Sequence, residues 1–302
     1  MGNLNNPENK TDQYADFSLV SFEQVEGLGK YEIYEDRVSG KHYLVFESSY
    51  AISNPEMAES AVTQLKKIEA IRNSCKLVTQ TVGKSKILCF DNYSINLCFE
   101  YYSSSLASMA NLRLQGTQIS EPEIWAVAED LVQYLGDLQK FDICHGDLQP
   151  KHILFNKNKI VKVLCPLLYT VYENAYKLKL ANEAYKSAFA PEELEAFEMR
   201  QTTPDINPSK CDIFSLGICL LVFIRGGSID QFYNWTLNQI DMNLVHKENA
   251  RVYQDDKLSE ELFFFINVCT KENPAERADL ELLLKVISKR QSKNRSDDKV
   301  YW

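Results

Sequence analysis

The apolar residues of this chain are spaced as in β-strands before residue 103 and as in helices after it. β-Branched and aromatic residues form short runs such as Tyr43–Phe46, and Ser39-Gly40 indicates a turn. Asn54 followed by Pro55 is typical of the start of a helix. The first part of the chain therefore predicts a small lobe that combines strands with one helix. Strands are expected between residues 17 and 46 and at 77–81, 87–90 and 95–101.

The chain after residue 105 has the pattern of a helical region. Ser120 with Glu123 three residues later forms a capping box, and the apolar face that follows predicts a long helix. The segment 212–224 is apolar on nearly all sides, which is typical of a helix buried inside a lobe. Two more helices are predicted at 261–269 and 278–288. The expected division is a polar tail at 1–15, a small lobe at 16–102, a larger helical lobe at 103–288 and a polar tail at 289–302.

Composition and charge narrow the class of protein. The 302 residues are 45% hydrophobic and 25% charged, which is ordinary for a soluble globular protein. The net charge of −9 argues against a partner that is nucleic acid or an anionic membrane. The eight cysteines lack zinc-site spacing and are expected to be free thiols in a reducing compartment.

No targeting segment is evident, and the longest apolar run, 218–224, is far shorter than the about 20 residues of a membrane span. A cytoplasmic protein is therefore expected. Gly2 is a weak candidate for N-myristoylation, because Asn6 stands where this signal usually has Ser or Thr.

Five segments resemble the eukaryotic protein kinase family in the family's own order. The H-G-D loop, His145–Phe155, resembles the kinase catalytic loop, and Ala190-Pro-Glu192 matches the A-P-E motif. Residues 210–217 resemble the start of the central large-lobe helix, 273–277 the segment whose arginine pairs with the A-P-E glutamate, and 40–46 the V-A-I-K strand. The resemblance covers residues 17–288. It implies an α+β, bilobal kinase-like fold with a small β-rich N-lobe and a larger, mainly α-helical C-lobe.

The resemblance also identifies where an active kinase carries its catalytic groups. These are a phosphate-binding lysine, a helix glutamate, a metal-binding asparagine and aspartate, and a catalytic aspartate. At these positions stand Phe46, Gln64, His152, Cys165 and Asp147, respectively. Imidazole and thiol are poor ligands for Mg²⁺, which prefers oxygen, and two ligands are too few to indicate a zinc site instead. Only the catalytic aspartate is therefore retained, and no metal site is expected.

The expected nucleotide site is altered as well. In the ungapped alignment Gly29 takes the place of the third glycine of the glycine-rich loop, and Tyr31 that of the valine that covers adenine. A gapped alignment puts Tyr34 at the valine position instead. Leu44 replaces the adenine-contacting alanine of V-A-I-K. Because bulk and a carboxylate in this site oppose an anionic nucleotide, no cofactor is expected.

The retained residues are those with an architectural role in the family. Glu192 and Arg277 are expected to form a buried ion pair, while His145 and Asp212 hold the catalytic loop. Asp147 lacks the positioned phosphates and metal on which catalysis depends. Its loop is therefore expected to be a scaffold, hydrogen-bonded to neighbouring backbone.

The resemblance as a whole predicts a pseudokinase: not an enzyme, but a binding, scaffold or structural subunit of a protein assembly. The alternative is an atypical Ser/Thr kinase with displaced catalytic groups, and an intermediate case binds nucleotide without metal. The loop at 194–208 and the aromatic residues Phe232, Tyr233 and Trp235 are candidate contacts for a protein partner, although the aromatic residues also suit the core. A cytoskeletal or ciliary assembly is one guess for the location.

Overall fold

The computed structural model describes residues 17–25, 29–51, 81–89, 92–100, 102, 104–155, 159–164 and 174–297. They belong to two compact units, of which the first ends at Ser103 and the second includes the chain from Ser104 onward. Strands make up the described part of the first unit, and helices dominate the second. The expected α+β architecture is therefore confirmed.

Five strands of the first unit form one antiparallel sheet in the order β1-β2-β3-β5-β4. A tight turn joins β2 to β3, and Gly40 in this turn has a φ of 64°, a left-handed conformation that glycine adopts without strain. The turn expected at Ser39-Gly40 is therefore present. The strands are β1 (Phe17–Val25), β2 (Gly29–Asp36), β3 (His42–Ala51), β4 (Thr81–Cys89) and β5 (Asn92–Glu100).

Two sequence predictions in this unit need comment. Separate strands at 77–81 and 87–90 are wrong within the described residues, because β4 continues from Thr81 to Cys89. Gly83 lies at a shift of register against β5, so the glycine accommodates a bulge instead of ending the strand. The helix predicted to start at Asn54 lies outside the described residues.

The second unit contains helices and three short strand pairings. Most of its helices begin after a residue whose side chain accepts a hydrogen bond from the first helical turn, as an N-cap does. Glu123 accepts a hydrogen bond from Ser120 N at 3.0 Å, as the capping box predicts. The elements are β6 (Ser104–Ser105), α1 (Leu106–Leu114), α2 (Glu121–Gln139), β7 (Ile153–Phe155), β8 (Val161–Val163), α3 (Ala175–Ala181), α4 (Pro191–Glu198), α5 (Pro208–Arg225), β9 (Tyr233–Asn234), β10 (Gln239–Ile240), α6 (Met242–Gln254), α7 (Glu260–Cys269) and α8 (Leu280–Asp297).

Helix α5 is the centre of the second unit. Every residue from Cys211 to Ile224 is buried, as the continuous apolar pattern predicts, and α5 contacts α1, α2 and α7. Asn207 caps its N-terminus by accepting from Ser209 N at 3.1 Å. At Gly217 a Cβ atom would lie 2.5 Å from Thr270 Cγ2, so only glycine permits this approach of α5 to the end of α7. The core of the unit is built around this helix.

Three expectations for the second unit are corrected. The segment 194–208 is not one loop, because Leu194–Glu198 belongs to α4 and buries Leu194 and Phe197. Phe232 and Tyr233 are buried, which favours the core alternative for both, and the partly exposed Trp235 is stacked on Tyr233 with ring centroids 4.6 Å apart. The polar segment after 288 continues α8 through Asp297. Its Lys, Arg and Gln residues are good helix formers, and polarity alone did not indicate a helix end.

No helix in the described part of the chain has both the length and the apolar character needed to cross a membrane. Gly2, the candidate for N-myristoylation, lies outside the described residues.

Candidate functional site

Asp147 lies in the loop between α2 and β7, and its side chain is completely buried. Ser187 Oγ donates a hydrogen bond to its Oδ1 at 2.6 Å, and the Tyr185 hydroxyl donates to its Oδ2 at 2.6 Å. Gln149 Nε2 also donates to Oδ1, at 2.8 Å. The sequence predicts backbone hydrogen bonds for the loop, whereas the carboxylate itself is held by side chains. The segment before α4 returns across the loop and brings hydroxyl groups to both oxygens.

The environment of Asp147 disfavours its charged form. Burial raises the pKa of Asp147 to about 6, although the hydrogen bonds from Ser187 and Tyr185 and the charge of Lys151 oppose the rise. Among the described residues, no lysine or arginine forms an ion pair with this carboxylate. Asp147 is therefore held by neutral donors rather than by an opposite charge.

Asp212 fixes the H-G-D loop to the central helix. Its Oδ2 accepts from His145 N at 2.7 Å, and its Oδ1 accepts from Gly146 N at 2.8 Å. Burial raises the pKa of Asp212 to about 7, against the effect of these two bonds. The carboxylate thus links the loop to α5 through two hydrogen bonds. This is the architectural role that the sequence predicts.

His145 is a neutral structural residue in this arrangement. Its Nδ1 accepts from Asp147 N at 3.2 Å, so its Nε2 carries the proton and donates to the Leu164 carbonyl at 3.2 Å. Burial lowers the pKa of His145 to about 4. The ring therefore ties the loop to the residue after β8 without contributing charge.

His152 stands where the family has a metal-binding asparagine. Its Nδ1 donates to the main-chain oxygen of Asp147 at 2.9 Å, and burial, with the nearby charge of Lys151, lowers its pKa well below the usual value. An imidazole whose nitrogen is engaged in this way does not fit Mg²⁺, which requires oxygen ligands. Among the described side chains, no three His, Cys, Asp or Glu residues are grouped as a metal site would require.

The Glu192–Arg277 ion pair is the second polar centre of this unit. Arg277 Nη1 and Nη2 donate to the two Glu192 oxygens at 2.7 and 2.9 Å, a bidentate arrangement. The remaining Arg277 donors bind the carbonyls of Lys210, Lys271 and Glu272 at 2.9–3.0 Å, so all five guanidinium N–H groups are used. The Arg277 side chain is fully buried and that of Glu192 is 16% exposed. The predicted pair is therefore present.

The remaining predicted positions lie in or next to the first unit. Phe46 and Leu44 are residues of β3, and Gly29 and Tyr31 are residues of β2. In the register of the sheet, Tyr31 is directly opposite Phe46. Gln64 and Cys165 lie outside the described residues.

Sequence reasoning missed several residues of the polar centre. Tyr185, Ser187 and Gln149 all donate hydrogen bonds to Asp147, and no sequence motif indicates this role. Buried Lys179 was also missed: its Nζ donates to the Glu183 carbonyl at 2.9 Å and lies 4.6 Å from the centre of the Phe197 ring. The only available signal was the position of Tyr185 and Ser187 just before A-P-E, and that signal does not indicate what they bind.

Comparison with known proteins identifies the family. The sequence profile of the family described as "Protein tyrosine and serine/threonine kinase" matches residues 49–287. Because this match covers most of the chain, the protein belongs to that family, and its α+β structure has the bilobal kinase-like fold that the motifs predict.

Individual relatives are distant. The chain is 33% identical over 104 residues to the membrane-associated tyrosine- and threonine-specific cdc2-inhibitory kinase wee-1.3 of Caenorhabditis elegans, which is 34% of this chain and 14% of that kinase. It is 22% identical over 278 residues to mitogen-activated protein kinase kinase 1c of Physcomitrium patens, 90% of this chain and 75% of that protein. It is 24% identical to the serine/threonine-protein kinase max-2 of C. elegans over 85% of this chain and 39% of that kinase. The match therefore spans far less than two thirds of wee-1.3 and max-2.

Proposed function

We propose that this chain is a pseudokinase, a member of the kinase family that does not transfer phosphate and acts as a binding or structural subunit of a protein assembly. The observation that carries the proposal is the set of hydrogen bonds that the Asp147 carboxylate accepts. Both of its carboxylate oxygens accept hydrogen bonds from the chain's own Ser187, Tyr185 and Gln149. The one catalytic residue retained in the sequence is thus used as a structural acceptor.

These hydrogen bonds argue against the role of a catalytic base. A base must come within hydrogen-bond reach of the proton that it removes. The Asp147 side chain has no exposed surface, and a substrate hydroxyl would have to displace Ser187 or Tyr185, each bound at 2.6 Å. Displacing Ser187 would leave a buried hydroxyl donor without its acceptor, which costs about 1–3 kcal/mol.

The residues at the other catalytic positions support the same proposal. Phe46 and Gln64 offer neither the cation nor the carboxylate of the lysine–glutamate pair, and His152 is engaged by the backbone. Positioning and electrostatic stabilisation supply nearly all of the rate in phosphoryl transfer. Losing one such element typically lowers the rate by about 10²–10³-fold.

Thermal unfolding of the purified protein with ATP tests the proposal, with and without Mg²⁺. A ligand at a hundred times its Kd stabilises the folded state by about 2.7 kcal/mol, which shifts the Tm by several degrees. We expect no shift that depends on Mg²⁺ and no phosphate transfer to a generic protein substrate. A transfer activity that Asp147→Asn abolishes would overturn the proposal.

The second candidate is an atypical Ser/Thr kinase with displaced catalytic groups. Its support is that relatives such as max-2 are named as serine/threonine-protein kinases. It requires a lysine from another position to reach the phosphates and a metal site that the residues at the family positions do not supply. The same ATP experiment separates the two candidates, and a cytoplasmic location, with a cytoskeletal or ciliary assembly as the specific guess, stays a prediction.

A further inference from the structure

A cavity of about 240 Å³ lies in the second unit among α3, α4 and the start of α5. Its wall includes Ser187, Glu193 and Asp212, and the segment between α4 and α5 contributes Thr203, Pro204 and Ile206. Small-molecule sites usually measure about 300–1,000 Å³, so this cavity is sized for a single side chain. Its wall combines apolar residues with acidic groups.

Glu193 is an acidic residue of this wall, and only one of its two carboxyl oxygens has a hydrogen-bond partner among the described residues. It is only 8% exposed, although it belongs to a short helix near the surface. Its Oε2 accepts from Ala190 N at 2.8 Å, whereas Oε1 has no hydrogen-bond partner among the described residues. Oε1 therefore offers a free acceptor to a ligand that donates a hydrogen bond into the cavity.

The charges around the cavity favour a cationic ligand. Asp212 also lines the cavity, and its oxygens are bound by backbone N–H groups rather than by a cation. Lys177 is in the wall, but its Nζ is directed to the Thr202 carbonyl. The positive charge of Arg277 is paired with Glu192. Among the described residues, neither Glu193 nor Asp212 forms an ion pair with a lysine or an arginine.

We propose that this cavity binds one arginine side chain of a protein partner, with Glu193 Oε1 accepting from the guanidinium and Pro204 and Ile206 contacting its methylene groups. A guanidinium matches a carboxylate as a forked donor, and its alkyl stem suits apolar walls. The biological use of the site rests on the proposed binding function. Binding of an arginine side chain in the cavity does not depend on whether the protein transfers phosphate.

The test uses the full chain and the capped peptide acetyl-Ala-Arg-Ala-amide, with binding followed by NMR at pH 8. We expect saturable shifts that include the Ala190 amide, with a Kd in the millimolar range, on the order of 1 mM. The matched control peptide carries citrulline, which has nearly the same shape without the charge, and should bind at least tenfold more weakly. Equal binding of the two peptides would overturn the proposal without relying on any variant.

Two variants on α4 sharpen the assignment. Glu193→Gln should weaken the arginine peptide at least tenfold, whereas Glu195→Gln, an exposed residue of the same helix, should leave its Kd unchanged. Circular dichroism and the Tm establish that both variants are folded. A folded Glu193→Gln protein that binds like the wild type would overturn the proposal, as would free arginine binding when the peptide does not.

The pH dependence gives a further readout. Burial, with smaller effects from Glu192 and Asp212, raises the pKa of Glu193 to about 8 against the effect of Arg277. Cation binding must then displace a proton, so peptide affinity should rise toward about tenfold per pH unit between pH 6 and 8. Cys211, Tyr176 and Tyr233 also interact electrostatically with Glu193, but the pKa of each is raised and they stay neutral in this range.

Asp212, whose pKa is raised to about 7, titrates within the same range and should give Glu193→Gln a weaker residual dependence. An unchanged pH profile in Glu193→Gln would contradict the assignment. Because none of these measurements involves ATP, failure here is distinguishable from failure of the pseudokinase proposal.

Discussion

The second unit has two polar centres, one around the Glu192–Arg277 pair and one around Asp147, and they hold their carboxylates in opposite ways. Glu192 faces a guanidinium whose five donors are all used, so its charge is matched by an equal and opposite one. Asp147 is surrounded by two hydroxyls and an amide, and burial raises its pKa to about 6. The first centre requires ionised groups, whereas the second requires only hydrogen-bond acceptors. Under the proposed function, Asp147 is a structural hydrogen-bond acceptor.

Replacing the carboxylate of each centre by the amide of the same shape is expected to give the largest difference in the free energy of unfolding. Glu192→Gln leaves the buried Arg277 guanidinium without its counter-charge and should lower the free energy of unfolding by about 3–5 kcal/mol. Asp147→Asn keeps one acceptor oxygen but loses the acceptor of at least one neutral donor, so it should cost about 1–3 kcal/mol. Urea denaturation at pH 7 measures both values. Equal costs would show that the two carboxylates are held in the same way.

Helix α5 connects the two centres, because Asp212 holds the H-G-D loop and the Lys210 carbonyl accepts from Arg277. Gly217→Ala would place a Cβ 2.5 Å from Thr270 Cγ2 and should destabilise the protein by about 1–3 kcal/mol through overpacking. The matched control is Gly136→Ala in α2, where the nearest side-chain atom would be 3.8 Å away.

The control should be neutral or stabilising by up to about 1 kcal/mol, since alanine favours helices over glycine. Chemical denaturation measures the free energy of unfolding of both variants. A Gly217→Ala protein as stable as the Gly136→Ala protein would mean that α5 does not depend on this close approach.

The smallest expected effect is in the pH dependence of stability. Because the pKa of Asp147 is about 6 in the folded state, the folded protein binds more protons than the unfolded protein between about pH 4 and 6. Its contribution to the free energy of unfolding therefore falls as the pH rises through this window, by about 1–2 kcal/mol. Asp147→Asn should remove this part of the dependence, as measured by urea denaturation at several pH values. Parallel curves for wild type and variant would contradict a raised pKa.

The sequence predicted best what short-range patterns and family spacing determine. The continuous apolar run identified α5, and the motif order placed Glu192 opposite Arg277. It did not predict the partners of Asp147, because Tyr185 and Ser187 are 38 and 40 residues away and reach it only through the path of the folded chain. A motif specifies which residue occupies a position, but tertiary packing determines which donors surround it.

Some predicted boundaries of helices and strands were wrong for a related reason. The polar residues after 288 were assigned to a tail, yet α8 continues to Asp297 and Arg290 lies 4.4 Å above the Trp125 ring. A cation packed on an aromatic ring favours helix continuation where the hydrophobic pattern has ended. Likewise, separate strands were expected at 77–81 and 87–90, whereas β4 continues through an irregularity in register between Thr81 and Gly83.

The placement of Arg277 also has a consequence for biosynthesis. Its partner Glu192 precedes it by 85 residues, and the guanidinium also binds the carbonyls of Lys210 and Glu272, which lie within that interval. At translation rates of about 5–20 residues per second, the emerging chain presents Glu192 roughly 4–17 s before its counter-charge is made. During that interval the nascent helix α4 has an unmatched carboxylate, so the second unit can close only when the segment containing Arg277 has left the ribosome.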